Sequence, residues 1–308
     1  MPPENSDLML DRFSGCMLGA AIGDALGMPG ETAPMSLSHM QRGYRRAWKR
    51  HPNAGLEPGQ YTEDSQIMLL VAALLASGAY SEERYAADLS RLCLSGDLRF
   101  PDGSVMTACE HLLVVGPDRS GVNSDTAGCV PLAVPFALKY LDPVDLSGRL
   151  AKACSVTHTH PAALAGTVTV GFLISAVLRS VEDPFALALR SASSEDPELG
   201  ARLRRAVELE REGISLEGAL PVIGSDVSIY QTIPIAFFLM NRYDDPESLL
   251  YVAANIGGNT DTIAFICGAY VGAKYGVGAL PPDLLEGLEN REEIRRLAGE
   301  LLLATPKD

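Results

Sequence analysis

The chain has 308 residues, of which 47% are hydrophobic and 21% charged, a composition typical of a globular protein that buries a large core. Its net charge of −14 argues against a nucleic acid or an anionic membrane as partner, because phosphate binding needs clustered lysine and arginine. The six cysteines form no CxxC pair and the first residues form no signal-like segment. We therefore expect no disulfide framework and a cytoplasmic location.

Helix-like patterns follow one another along the chain. After the glycine-rich segment "GCMLGAAIGDALG", residues 34–59 are basic and poorly periodic and predict a long surface loop. The uncharged run 162–178 is too short and too rich in small residues for a membrane span and predicts a buried helix. Further helices are predicted in "SQIMLLVAALLASG", "SEERYAADLSRLCLSG", "PLAVPFALKYL", "DLSGRLAKACSV", "PELGARLRRAVELEREG", "SIYQTIPIAFFLMNR", "PESLLYVAANIGG" and "TIAFICGAYVGAKYG". Convincing strand patterns are absent, so we predict an all-α fold in one domain, residues 1–308.

Two segments repeat glycine at four-residue spacing. The first stripe is Gly15, Gly19, Gly23 and Gly27, and the second is Gly268, Gly272 and Gly276. Each glycine inside a helix costs roughly 1 kcal/mol relative to alanine, so repeated use needs a compensating contact. Close helix–helix approach is that contact, because a helix without Cβ atoms admits a neighbour. Asp24, inside the first stripe, is interpreted as a buried hydrogen-bonding residue that orders the following loop, in preference to direct catalysis.

Thr62, Glu63 and Asp64 stand where a mostly buried helix begins. Helix capping explains this placement, because Thr62 can cap and two acids in the first turn complement the helix dipole. The chain repeats the device in "NIGGNTDTIAF", where Asn259, Asp261 and Thr262 begin another buried helix. Two such elements resemble halves of one oxygen-ligand site. Hard oxygen ligands suit Mg²⁺ first and Mn²⁺ as an alternative.

Four motifs in this order, "GCMLGAAIGDALGMPGE", "YTEDSQ", "SVTHTHPAALAG" and "NIGGNTDTIAFICGAYVGAKYG", resemble the ADP-ribosylglycohydrolase family. This family includes the dinitrogenase-reductase-activating glycohydrolases and the ADP-ribosylarginine hydrolases. The resemblance covers residues 13–278. It implies a compact, orthogonal multi-helix bundle with one or two Mg²⁺ or Mn²⁺ ions in a cleft between the two acidic helix starts.

The resemblance also assigns residues to roles. As metal ligands it implies the two acidic helix starts, Thr62, Glu63, Asp64, Asn259, Asp261 and Thr262. As catalytic residues it implies Asp64 and Glu31, the acid that follows "GDALG", with Asp125 of the middle loop as another acid that can transfer the proton. As substrate-contacting residues it implies Asn123, Ser124, His158, Gly257 and Gly258. Simpler interpretations remain open, namely that Ser124 and Asp125 cap the next helix and that His158 supports the cleft from behind.

The chain departs from the family pattern at three places. Glu63 stands where aspartate is usual, and Asn259 stands where a carboxylate is usual, which removes one negative charge from the site. The middle loop, often "GNGAAMR", is "GVNSDTAGCVP" here and lacks the Met-Arg pair. These departures keep the oxygen ligands and weaken the expected second metal position and the recognition of phosphate or adenosine.

The activity that the resemblance implies is metal-dependent hydrolysis of an N- or O-ribosidic bond, releasing ADP-ribose from an ADP-ribosylated protein or small molecule. Carboxylates would stabilise an oxocarbenium-like transition state, and bound ions would orient the ribose and activate water. The alternatives are a hydrolase of another nucleoside or ribosyl compound and a non-catalytic family member that acts as a binding protein. Arginine, serine and cysteine linkages are all compatible with the sequence, and the oligomeric state is not predicted.

Overall fold

The computed structural model describes residues 3–33, 35 and 40–305. In these residues the regular structure is helical, and extended backbone pairs at two isolated bridges, Val122 with His158 and Thr126 with Ser228. The α-helices are α1 (Pro3–Gly27), α2 (Glu63–Ala76), α3 (Glu82–Ser95), α4 (Gly103–Val115), α5 (Ala133–Lys139), α6 (Pro143–Cys154), α7 (Pro161–Leu178), α8 (Pro184–Glu195), α9 (Pro197–Arg211), α10 (Leu216–Ile223), α11 (Ile229–Arg242), α12 (Pro246–Ala253), α13 (Thr260–Tyr275), α14 (Pro282–Gly287) and α15 (Arg291–Ala304). The predicted all-α fold is confirmed, whereas α4, α8, α10, α14 and α15 were not predicted individually.

Helix α7 confirms the prediction of a buried helix in the uncharged run 162–178. It is long and apolar enough to cross a membrane by length and composition, but 83% of its residues are buried inside the protein. One continuous cluster of buried apolar residues joins it to the remaining helices. The single domain over residues 1–308 stays a prediction.

The two glycine stripes meet where α1 packs antiparallel against α13. A Cβ added to Gly19 would lie 2.2 Å from the carbonyl oxygen of Gly268, and one added to Gly23 would lie 1.9 Å from that of Ala264. Such distances leave no room for a side chain, so the backbones touch directly. The prediction that the glycines permit close helix approach is confirmed. Because the helices are antiparallel, the last turn of α1 reaches the first turn of α13.

The predicted loop at 34–59 packs inward in part. Pro34 and residues 36–39 lie outside the described residues, and residues 40–62 form no α-helix. Trp48 is exposed as expected, but Ala47, His51 and Asn53 are buried against the bundle. The basic composition of the segment gave no sign that these three residues are buried.

The cysteines depart from the sequence prediction at one pair. Cys93 of α3 and Cys109 of α4 form a disulfide, which their positions in the sequence did not predict. The other four cysteines are buried free thiols, typical of small apolar core residues.

Candidate active site

The first acidic helix start is built around a buried aspartate. The hydroxyl of Thr62 accepts a hydrogen bond from the backbone N–H of Asp64 (3.4 Å) and donates to Asp24 Oδ1 (2.8 Å). Asp24 also accepts from the backbone N–H of Thr62 (2.9 Å) and from the N–H and hydroxyl of Ser65 (3.0 and 2.7 Å). The capping interpretation of Thr62 is thus confirmed. Asp24 is the buried hydrogen-bonding residue that the sequence predicted, but its partners Thr62 and Ser65 lie at the start of α2 and not beside Glu31.

The second acidic start is tied to the end of α1. The hydroxyl of Thr260 donates to the carbonyl of Gly27 (2.8 Å), and Asp261 Oδ1 accepts from the backbone N–H of Thr262 (2.8 Å). The side-chain N–H of Asn259 donates to the hydroxyl of Thr232 (3.1 Å). This bond fixes the amide of Asn259, so its carbonyl oxygen is the atom that remains available as a ligand.

Glu31 follows the last turn of α1 and is held by the loop before α13. The backbone N–H of Thr32 donates to the carbonyl of Gly258 (2.9 Å), and the N–H of Gly258 donates to the carbonyl of Ala33 (3.2 Å). Gly257 and Gly258 have φ of 82° and 78°, which L side chains rarely adopt. A Cβ on Gly258 would also lie 2.1 Å from the carbonyl oxygen of Ser225. The two glycines thus hold Glu31 beside the start of α13.

A cavity of about 640 Å³ lies where these segments meet. It collects seven of the predicted site residues, Glu31, Glu63, Asp64, Ser124, Asn259, Asp261 and Thr262. The wall is completed by residues that the sequence did not single out, among them Phe100, Asp102, Ser104, Thr126 and Val227.

Six predicted residues are outside the described lining of this cavity. Thr62 is buried behind it. Asn123 is exposed, and the carboxylate of Asp125 accepts from the hydroxyl of Ser228 (2.6 Å). The buried ring of His158 lies behind Thr126, whose hydroxyl is 3.0 Å from its Nε2. Gly257 and Gly258 lie in the loop before α13, where Gly258 is hydrogen-bonded to Thr32 and Ala33.

Asp102 is the acid that the sequence analysis missed. It caps α4 by accepting from the backbone N–H of Ser104 (2.7 Å), and its carboxylate also accepts from the hydroxyl of Thr126 (3.1 Å). Its backbone N–H donates to Glu63 Oε1 (3.0 Å), so the longer arm of Glu63 links the starts of α2 and α4. The segment "PDGSV" places an acid directly before an apolar helix, which is the same pattern that predicted a site residue at Glu63.

Three carboxylate oxygens of the cavity wall have no partner. Oε2 of Glu31, Oε2 of Glu63 and Oδ2 of Asp64 are buried and accept no hydrogen bond from the described residues. Among the same residues, no lysine or arginine forms an ion pair with these three acids or with Asp261. Because unpaired buried carboxylates are costly, these oxygens are available to a ligand that carries positive charge or donates hydrogen bonds.

The electrostatics of the cluster follow from burial and mutual repulsion. Burial, and then repulsion by Asp261, Asp64 and Asp24, raise the pKa of Glu31 to about 10. Burial and then Asp24 raise the pKa of Asp261 to about 7. Burial and the neighbouring acids also raise the pKa values of Glu63 and Asp64 well above their ordinary values. Without a cation the cluster therefore holds protons at neutral pH.

The donor set fits a hard divalent cation with a mixed ligand shell. In the described part of the chain, no three His, Cys, Asp or Glu side chains already stand in a ligating arrangement. A bound ion would therefore also draw on neutral oxygens, which Asn259 and Thr262 supply on the cavity wall. Carboxylate, amide and hydroxyl oxygens are ligands that Mg²⁺ and Mn²⁺ accept.

Comparison with known proteins identifies the family to which the chain belongs. The family model described as ADP-ribosylglycohydrolase matches residues 5–308. An uncharacterized protein of Archaeoglobus fulgidus is 34% identical over 298 residues, covering 95% of this chain and 96% of the relative. The ADP-ribosyl-[dinitrogen reductase] glycohydrolase of Rhodospirillum rubrum is 25% identical, covering 95% and 96%. A solved ADP-ribosylglycohydrolase-related protein complex superposes with a TM-score of 0.81 at 26% identity over 97% of this chain and 99% of the other. The chain therefore belongs to the ADP-ribosylglycohydrolase family, whose activity is hydrolysis of ADP-ribosyl glycosidic bonds.

Proposed function

We propose that this protein is a Mg²⁺- or Mn²⁺-dependent hydrolase that releases ADP-ribose from an ADP-ribosylated protein or small molecule. The observation that carries the proposal is the set of buried, unpartnered carboxylate oxygens on Glu31, Glu63 and Asp64 in one cavity. The named glycohydrolase of Rhodospirillum rubrum aligns over almost the whole chain and supports the ADP-ribosyl substrate.

The metal-holding residues in this proposal are Glu63, Asp64, Asn259, Asp261 and Thr262. Thr62 contributes indirectly, since its buried hydroxyl caps α2 and is engaged with Asp24. When bound, the ions would orient ribose hydroxyls and lower the pKa of water. The substitution of Asn259 for a carboxylate retains one ligand oxygen and removes one negative charge, so we expect one of two ion positions to bind more weakly.

Glu31 is the proposed proton-transfer residue. It lies on the cavity wall, and its raised pKa of about 10 keeps a proton on the carboxyl at neutral pH in the metal-free protein, as a general acid requires. Asp125 is a weaker candidate, because its carboxylate is bound to Ser228. The remaining carboxylates would stabilise positive charge on the anomeric carbon as the bond breaks.

The proposal is tested by calorimetry with Mg²⁺ and Mn²⁺, with and without ADP-ribose, on wild type and Asp261→Ala. A matched control is Asp145→Ala, because Asp145 also stands in the first turn of a helix but is exposed. We expect Asp261→Ala to lose metal binding and Asp145→Ala to retain it, and we expect ADP-ribose to strengthen binding in wild type. Release of ADP-ribose from arginine-linked and serine-linked peptides then tests catalysis. Equal metal binding by Asp261→Ala, or no release from any linkage, would refute the proposal.

A further inference from the structure

His51 faces the carboxylate of Glu31 from the segment between α1 and α2. Its Nε2 lies 4.0 Å from Glu31 Oε2, and its side chain is completely buried although Trp48, three residues earlier, is exposed. Both atoms are buried and have no hydrogen-bond partner among the described residues. An unpartnered buried polar atom costs about 1–3 kcal/mol, so two that face each other need an explanation.

The hydrogen bond on the other side of the ring determines where its proton lies. Nδ1 of His51 is 3.0 Å from the backbone nitrogen of Asn53, which carries a hydrogen and can only donate. Nδ1 is therefore the acceptor, and the proton of the neutral ring is on Nε2. Burial lowers the pKa of His51 and outweighs the backbone carbonyl of Glu31, which favours the charged ring but does not form a hydrogen bond with Nε2. The ring consequently presents a neutral N–H to Glu31.

Aromatic neighbours hold the ring in this orientation. Trp48 meets it edge-on, with ring centroids 6.1 Å apart, and the centroid of Phe100 is 6.0 Å away on another side. Phe100 lines the cavity and has φ of 48°, a conformation unusual for a bulky residue. The segment that carries His51 is thus packed against the cavity wall at this residue.

We propose that His51 is a positioning residue for Glu31, an inference that rests on the proposed function. The gap between Nε2 and Oε2 exceeds a hydrogen bond by about 1 Å, which a small rotation of the Glu31 side chain closes. Donation to Oε2 then fixes the carboxyl plane and leaves Oε1 for the cavity. His51 touches neither substrate nor reacting atoms in this account and acts through Glu31.

Two substitutions separate this role from a structural one. In His51→Asn the amide oxygen replaces Nδ1, so the bond from the Asn53 N–H remains while the donor toward Glu31 is lost. In His51→Gln the longer side chain can return an N–H to the Nε2 position. With an ADP-ribosylated peptide and Mg²⁺, we expect His51→Asn to lower kcat on the order of tenfold while KM stays within about twofold, and His51→Gln to recover most of the loss. Thermal unfolding should show that both variants are folded.

Equal kcat for His51→Asn and wild type, or equal losses in both variants, would overturn the proposal. A measurement that does not use catalysis separates its failure from that of the proposed function. Long-range ¹H–¹⁵N NMR of the imidazole should show the Nε2–H tautomer in wild type and a shifted Nε2 resonance in Glu31→Gln. A wild type that cleaves no ADP-ribosyl peptide refutes the proposed function, and the NMR result then decides the His51 assignment alone. An Nδ1–H tautomer, or an Nε2 resonance indifferent to Glu31→Gln, overturns it.

Discussion

Replacing Glu31 by glutamine is expected to stabilise the metal-free protein at neutral pH. The pKa of Glu31 rises from an ordinary value of 4.5 to about 10 on folding, with burial as the main cause. At pH 7 the carboxyl is ionised in the unfolded chain and protonated in the folded one, so folding takes up a proton. The cost is 2.303RT for each pH unit above 4.5, about 3 kcal/mol at pH 7. Glutamine needs no proton and avoids this cost.

The direction of the Glu31 pKa shift determines how the stability difference between Glu31→Gln and wild type depends on pH. A carboxyl whose pKa is raised by folding destabilises the protein progressively as pH rises above the unfolded pKa, up to the folded pKa. The advantage of Glu31→Gln should therefore be near zero below pH 4.5 and grow by about 1.4 kcal/mol per pH unit through the neutral range. Urea unfolding in the presence of a chelator, at several values between pH 5 and pH 8, measures it directly.

Glu182→Gln is the matched control, because Glu182 is exposed outside the cluster and its replacement should leave the free energy of unfolding nearly unchanged. Added Mg²⁺ should narrow the gap between wild type and Glu31→Gln, since cation binding offsets the repulsion that glutamine also removes. A Glu31→Gln protein that is less stable at pH 7, or a stability gap that does not depend on pH, would refute the reasoning.

Two further predictions concern the elements that place the site. Gly23→Ala should destabilise the protein by about 1–3 kcal/mol in urea unfolding, because its Cβ would lie 1.9 Å from the carbonyl oxygen of Ala264. Gly148→Ala, in a helix with open space around the new methyl, should instead stabilise by up to about 1 kcal/mol, and equal effects of the two would contradict the close-approach argument. Asp24→Asn should cost about 1–3 kcal/mol by thermal or urea unfolding, since an amide nitrogen would face hydrogen-bond donors where Asp24 now accepts from four groups. Asp142→Asn, at an exposed helix start where asparagine caps as well, should be nearly neutral, and a neutral Asp24→Asn would disprove the assigned role.

The parts of the site that the sequence predicted are those with a local signal. A four-residue glycine repeat specifies close helix packing whatever the partner, and acids at a buried helix start stand out within a few positions. Helix α15 and the start of α4 carry comparable signals in the sequence. Ile294, Leu297, Ala298 and Leu301 repeat at i, i+3, i+4 and i+7 and are the buried face of α15.

The opposite wall of the cavity could not be predicted from local patterns. It is formed by backbone hydrogen bonds between distant loops, such as those from Ile229 N–H to the carbonyl of Asp125 (2.7 Å) and from Ala127 N–H to that of Val227 (2.9 Å). Backbone bonds carry no side-chain signature. The burial of His51 could not be predicted from local patterns either. It depends on contacts with Glu31 and Phe100, which are distant from His51 in the sequence.

The absence of lysine and arginine ion pairs from the described acidic cluster is itself informative about what the cavity binds. A permanent cationic side chain beside Glu63 or Asp64 would lower their raised pKa values and remove much of the cost of burying them. It would also occupy the oxygens that now have no partner. The N-termini of α2 and α13 offset part of the free-energy cost of burying these acids, because helix dipoles favour negative charge there. The stability of the packed core offsets the rest. In the proposed function, a divalent cation that enters and leaves the cavity supplies this missing positive charge.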